Sequence, residues 1–254
     1  MRHFVAFLKK EILEYIRTYK LFIMLIVFSL FGIMNPLAAK LTPYLIENLI
    51  PEGNLLNIPE PTALDSWAQF FKNINQMGLI VTLLVFSLVL VGELSKGTLI
   101  NMLTKGLSRK AVILSKYAGM VLLWTVSVIV SFFITWIYTV YLFPDGATSN
   151  LVFSVFCIWL YGACLLAILL LASTIARTNY ASLILVGLVV VALMLVNIVP
   201  KFKKYNPLTL SNKNMDLLAG TTSPDELYIT IGITIVLIII SLIMSISIFR
   251  KKQI

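Results

Sequence analysis

Six stretches of this chain carry no Asp, Glu, Lys, Arg or His: residues 21–39, 73–92, 117–144, 146–176, 178–200 and 227–249. The shortest holds 19 residues. At about 1.5 Å of rise per residue it spans about 28 Å as a helix, close to the ~30 Å hydrocarbon core of a bilayer. A run with no charge has no face to offer water. Lipid gives the backbone no hydrogen-bond partner, so each run must satisfy its own amides as a helix. Composition agrees: a soluble domain needs roughly 25% charged residues to cover its surface, and this chain has 12%, with 59% hydrophobic. The expected fold class is an all-α integral membrane protein. It has one transmembrane domain over residues 1–254, with six spans near 21–39, 74–91, 117–141, 152–176, 180–199 and 227–249.

Lys and Arg set the expected orientation, because cytoplasmic loops retain positive charge. With both termini inside, 14 of the 20 Lys and Arg lie on the inner side and six outside, and only Glu11, Glu14 and Glu93 of the acids lie inside. The net +9 then divides into +11 inside and −2 outside. The charge therefore reports topology rather than nucleic-acid binding. Lys201, Lys203 and Lys204 run against the rule.

Residues 1–19 place Phe4, Phe7, Leu8, Ile12, Tyr15, Ile16 and Tyr19 at helical steps, with Lys10, Glu14 and Arg17 on another face. This is expected to be an amphipathic helix on the inner membrane surface, drawn to anionic headgroups; His3 is a surface residue. Asn35-Pro36 is expected to kink or stop the first span. Residues 40–64 form an outer loop broken by Pro43, Pro51, Gly53, Pro59 and Pro61, with room for a short helix carrying Leu45, Ile46, Leu49 and Ile50. Asp65 or Ser66 is the expected cap of the next helix. Trp67, Phe70 and Phe71 are expected in an outer aromatic belt, and Trp136, Tyr138 and Tyr141 mark the outer end of the third span. Pro144-Asp145-Gly146 is a turn signal, and Arg177-Thr178-Asn179 a tight inner hairpin. In the outer loop 200–226, Leu208, Leu210, Met215, Leu217 and Leu218 favour a short helical hairpin over a solvated connector. Cys157 and Cys164 stand seven apart on one helix, about 10 Å along its axis, too far for a disulfide and too few for a metal; they read as packing residues. No internal repeat is visible, so any symmetry must come from a second chain.

The chemistry is narrowed by what the spans lack. An ion-coupled carrier usually keeps an ionisable group in the membrane. There is one His in the chain, no G-x-S-x-G and no P-loop; Lys96-Gly97-Thr98 has the wrong order for one. No catalytic, cofactor-binding or metal-ligating residue is expected here.

One inner loop stands out, residues 93–116, with five Lys/Arg and one acid. It reads E-x-x-K-G-T-x-x-x-x-L-x-x-x-x-S-R-x-x-x-x-x-x-K, from Glu93 through Lys96, Gly97, Thr98, Leu103, Ser108 and Arg109 to Lys116. Together with the amphipathic N-terminal helix, six spans, the entry W-A-Q-F-F-K-N-I-N-Q-M-G before the second span and the apolar outer loop before the last, the pattern resembles the permease subunits of ABC-2 type transporters. The resemblance covers the whole chain. It implies that the segment is a coupling helix docking on a separate cytoplasmic ABC ATPase subunit, which would hold ATP and Mg. In that reading Leu99, Met102 and Leu103 fill an apolar groove on the partner, Gly97 and Gly106 bend the chain, and Glu93, Lys96 and Arg109, with Thr98 and Ser108 beside them, surround the groove. A second permease chain, identical or related, completes the unit. The second and fifth helices line the path, in a bacterial cytoplasmic membrane. An uncharged, aromatic-rich path suits an amphipathic substrate: a peptide, as in antimicrobial or phenol-soluble modulin exporters, or a lipid, glycolipid or drug. The rival classes are a non-transporting scaffold or sensor that recruits an ATPase, and an ion-coupled carrier.

Overall fold

A computed structural model describes residues 2–49, 60–95, 97–104, 106–144, 146, 148–176 and 178–251. Among these, six helical segments are long and apolar enough to cross a membrane, and no strand occurs. Pro51, Gly53, Pro59, Lys96, Lys105, Asp145 and Arg177 lie outside the described residues.

The chain opens with α1 (Arg2–Arg17), turns sharply at Tyr19 (φ 60°), and enters α2 (Lys20–Leu49). The buried stripe of α1 is Phe7, Glu11 and Tyr15, one residue per turn. Tyr19, expected on the apolar face of α1, stands exposed at the elbow. α2 does not stop at Asn35-Pro36 and does not break at Pro43; both prolines lie inside it. Pro36 has no N–H for the carbonyl of Gly32, four residues back. The Thr135 hydroxyl of a neighbouring helix donates to that carbonyl at 3.2 Å. Asn35 donates to Thr135 at 3.2 Å and accepts from Asn73 at 2.7 Å, so the broken turn is re-bonded from outside the helix.

The second span is a composite. α3 (Ala63–Asn73) is capped by Thr62, whose N–H donates to Asp65 at 2.8 Å; Asp65 is thus the third-position partner in a capping box and not the cap. Ser66 instead is buried and shares a 2.6 Å hydrogen bond with Thr139. A π-helical turn follows (Ile74–Gly78), then α4 (Leu79–Phe86), a turn, and α5 (Val91–Ser95). Trp67, Phe70 and Phe71 are buried, packed on one another and on Phe132, and form core rather than a surface belt. Trp136, Tyr138 and Tyr141 are exposed.

Next come α6 (Thr98–Thr104), α7 (Arg109–Leu142), α8 (Leu151–Ile175) and α9 (Asn179–Ile198). Ser127, Ser131, Thr135 and Thr139 recur every four residues on α7 and are all buried. Small polar stripes of this kind let helices approach closely in lipid, where apolar burial gives no drive between helices. Gly32 packs so tightly on Ile134 that a Cβ there would lie 2.8 Å from it. Trp124 covers Gly162 in the same way and donates to the Trp159 carbonyl at 3.0 Å, fixing α7 on α8. α8 is the hub: 78% of its spanning window is buried, against 11% for α9. Cys157 and Cys164 are both free and buried in α8.

A 3-10 turn (Pro200–Tyr205), α10 (Thr209–Asn212), α11 (Asn214–Leu218) and a second 3-10 turn (Pro224–Leu227) lead to α12 (Tyr228–Lys251). Leu208, Leu210, Leu217 and Leu218 are buried. The helices extend beyond the charge-free runs. Glu93 and Lys116 therefore lie within helices of the second and third membrane-crossing segments, contrary to the expectation of spans free of ionisable groups.

Candidate functional site

The end of the molecule that carries α1, α6 and the start of α7 holds a buried ionic clasp. Lys116 sits two turns into α7 because that helix begins at Arg109 and not near Lys116. Its ammonium lies 2.7 Å from Glu93 and 3.0 Å from Glu11, and both Lys116 and Glu11 are 1% exposed. Lys10 bonds Glu93, and also Glu14 at 2.6 Å and Glu11 at 3.2 Å. Burial alone would lower the pKa of Lys10, but Glu11, with Glu14 and Glu93, raises it well above the ordinary lysine value. Burial, then the same carboxylates, pushes the Tyr15 hydroxyl well up, so it stays neutral. Gly119 leaves the space for that ring; a Cβ there would lie 3.1 Å from the hydroxyl. Oxygens of Glu11, Glu14 and Glu93 lie within 4.8 Å of one another, and the ammonium groups of Lys10 and Lys116 supply their counter-charge.

Glu93 precedes α6 and Lys116 follows it, so their ion pair staples the two stems of the loop together and both to α1. Between the stems, Gly97 (φ +68°) and Gly106 (φ +91°) occupy the left-handed region, with open space around each. They are there for conformation, not for room. Gly106 closes α6: its N–H donates to Leu103 at 3.0 Å and the N–H of Leu107 to Met102 at 3.2 Å, the paired bonds of a Schellman cap. Ser108 then caps α7, accepting from the N–H of Ala111 at 3.2 Å.

The structure redirects several side chains expected to meet a partner. Leu99 is 1% exposed and belongs to the chain's own core, and Met102 and Leu103 pack half-buried against it. The apolar face of α6 is inward because leaving it bare would expose the end of the bundle. Glu93 belongs to the clasp. Arg109 donates to the carbonyls of Phe249 at 2.7 Å and Arg250 at 2.9 Å and lies over the Phe249 ring, closing the last turn of α12. A cation at a helix C-terminus also complements the helix dipole. Thr98 starts α6, and Lys96 lies outside the described residues. Thr104, Gly106, Ser108 and Lys110 are exposed, and Ser108, Arg109, Lys110 and Arg250 line a small surface pocket.

Halfway along the molecule a cavity of about 770 Å³ opens between the second, fourth and fifth spans. Its walls are Leu79, Leu83, Leu165, Val186 and Val190, and no charged side chain lines it. Asn75, Gln76, Asn197 and Asn212 contribute amides. The π turn carries Asn75 and Gln76; such turns insert an extra residue and recur at functional sites. Gly187 lines the cavity with nothing within 4 Å of where a Cβ would stand. Asn75 and Gln76 belong to the entry W-A-Q-F-F-K-N-I-N-Q-M-G, but the sequence did not mark them or their partners as cavity residues. The one signal was the run Asn73 to Gln76, polar residues inside an apolar helix.

The chain is thus a bundle of six apolar helices with a side cavity and a stapled loop at one end. Residues 5–254 match the family model described as ABC-2 family transporter protein, and the chain belongs to that family. No curated protein matches it. It is therefore a multi-pass membrane protein of the permease kind, and members of this family generally pair with an ATPase subunit.

Proposed function

We propose that the chain is the membrane half of an exporter, driven by ATP and Mg on a separate ATPase subunit, that moves an amphipathic substrate, foremost a peptide. The observation that carries the substrate class is the cavity: apolar walls, amides for uncharged hydrogen bonding, and no charged lining residue. The end bearing α1 and α6 is cytoplasmic by the Lys and Arg count, in a bacterial plasma membrane. The ATPase docks there on Thr104 at the end of α6 and on Ser108 and Lys110, while Leu99 anchors α6 to the bundle. A push on α6 then reaches both adjoining spans at once, because the Glu93–Lys116 pair joins its stems. A second permease chain, identical or related, closes the path. A lipid-like cargo is the second reading, favoured by Ile80, Leu84, Val191 and Met194, cavity residues that are also exposed on the flank of the bundle.

The test uses the complex with its ATPase in vesicles, scoring ATP hydrolysis stimulated by amphipathic peptides and by lipids. A Cβ at Gly187 meets nothing within 4 Å, so Gly187→Trp puts a bulky ring into the cavity, and is expected to abolish stimulation while leaving basal hydrolysis and assembly intact. Unchanged stimulation in that variant refutes the cavity as the path. Stimulation by lipids alone selects the second reading.

A further inference from the structure

At the end of the molecule opposite the termini, the segment Pro200–Tyr205 carries Lys201, Lys203 and Lys204, and Lys213 lies nearby; together they line a surface cavity of about 700 Å³. Glu226 is the one carboxylate lining it, and it is taken by Lys213 at 3.3 Å. No carboxylate among the described residues lies within ion-pair distance of Lys201, Lys203 or Lys204. Three neighbouring cations repel one another, so a compact array of them is electrostatically poised for an anion.

The array is rigid. Thr209 donates to the Lys203 carbonyl at 2.7 Å and Thr230 to the Lys204 carbonyl at 2.9 Å, tying the turn to α10 and α12. Asn206 donates to the Leu193 carbonyl at 2.7 Å, fixing the turn to the end of α9. At three residues per turn, Phe202 and Tyr205 form one ridge and Lys201 and Lys204 another. Phe202 and Tyr205 are exposed, and so are Leu195, Ile198 and Val199 just before them. An exposed apolar helix face that ends in interleaved aromatics and lysines, with Lys204 over the Tyr205 ring, matches the edge of a lipid leaflet: acyl chains, then the interface with its headgroups.

We propose that this cavity binds the phosphate of an anionic phospholipid headgroup, with the acyl chains lying along Leu195, Ile198 and Val199 at the end of α9. This cavity shares no lining residue with the one that holds Gly187, and the proposal does not depend on what that cavity carries.

The experiment uses the full chain in nanodiscs of phosphatidylcholine with a minor share of phosphatidylglycerol, transferred to detergent, with retained lipids counted by native mass spectrometry. The wild-type chain is expected to keep phosphatidylglycerol over phosphatidylcholine. A lysine near an anionic headgroup contributes roughly fivefold, partly screened, so Lys201→Gln/Lys203→Gln/Lys204→Gln is expected to lose about tenfold or more of that preference. Lys72→Gln, an exposed lysine on α3, is expected to lose none. The three substituted side chains are exposed, so the thermal midpoint checks that the variant remains folded. Equal retention of the two lipids by the wild-type chain overturns the proposal, as does an unchanged preference in the triple variant. Displacement of phosphatidylglycerol by excess inorganic phosphate with no effect of acyl-chain length also overturns it, and marks a free-anion site.

Discussion

The two ends of this molecule use lysine in opposite ways. At the end with the termini, Lys116 is enclosed between Glu11 and Glu93, and Lys10 touches three carboxylates. At the other end, Lys201, Lys203 and Lys204 stand exposed on a turn whose one lining carboxylate already serves Lys213. In the first, Lys10 and Lys116 have their counter-charge inside the protein, and removing one partner strands the rest in a low-dielectric site. In the second, water and ions complete the neutralisation, and removal strands nothing. The first cluster therefore holds structure together, and the second is available to something outside.

The sharpest way to break this contrast is Lys116→Met. It leaves Glu11, Glu14 and Glu93 with Lys10 as their one shared cation and is expected to cost about 3–5 kcal/mol, read as a lower thermal midpoint and as faster proteolysis at the Thr18–Tyr19 elbow. Adding Glu93→Gln is expected to recover part of the loss. A cost under about 1 kcal/mol would place the clasp in the same class as the outer lysines. Next in size is Gly162→Ala, a purely steric control: its Cβ would lie 2.4 Å from the Trp124 ring. Overpacking of this kind costs about 1–3 kcal/mol, with a change in tryptophan fluorescence. Gly106→Ala follows, at about 1–2 kcal/mol for a left-handed non-glycine residue. Its effect is expected to be larger on substrate-stimulated ATP hydrolysis than on the midpoint, since the strain falls at the end of α6. Alkali sharpens the contrast further. A lysine whose pKa is raised on folding stabilises fully below its unfolded value of about 10.4, and that stability is lost only as pH climbs through the higher folded value. Protease resistance of α1 is thus expected to hold flat from pH 7 to about 10. The smallest effect belongs to Lys203→Gln, expected within about 0.5 kcal/mol of wild type in stability.

The six spans were legible because charge is so costly in lipid that its absence over 19 residues or more is a length measurement. What a residue touches across the bundle was not legible. Pro36 reads as a stop, and the reason it is not one lies a hundred positions away, in Thr135. Leu99 reads as an interface residue because a short loop helix has no apparent core, yet the bundle supplies one. Arg109 reads as a docking charge until it is seen closing α12. One contact was almost in view. The loop motif begins at Glu93 and ends at Lys116, and these two residues bond each other. Starting the third helix at Lys116, two turns too late, put that lysine at the mouth of the span and hid the pairing. The signal that could have found it is the opposite charge of the two stems.

The clasp has a consequence in time as well as in space. Lys10, Glu11, Glu14, Glu93 and Lys116 all lie in the first 116 of 254 residues. During synthesis, the ionic lock between α1, the end of the second span and the start of the third can close once α7 is in place, before α8 and α9 are made. The later helices then assemble on a half whose loop geometry is already set, so a defect in the clasp is expected to appear as early capture by quality control and not as a slow transporter.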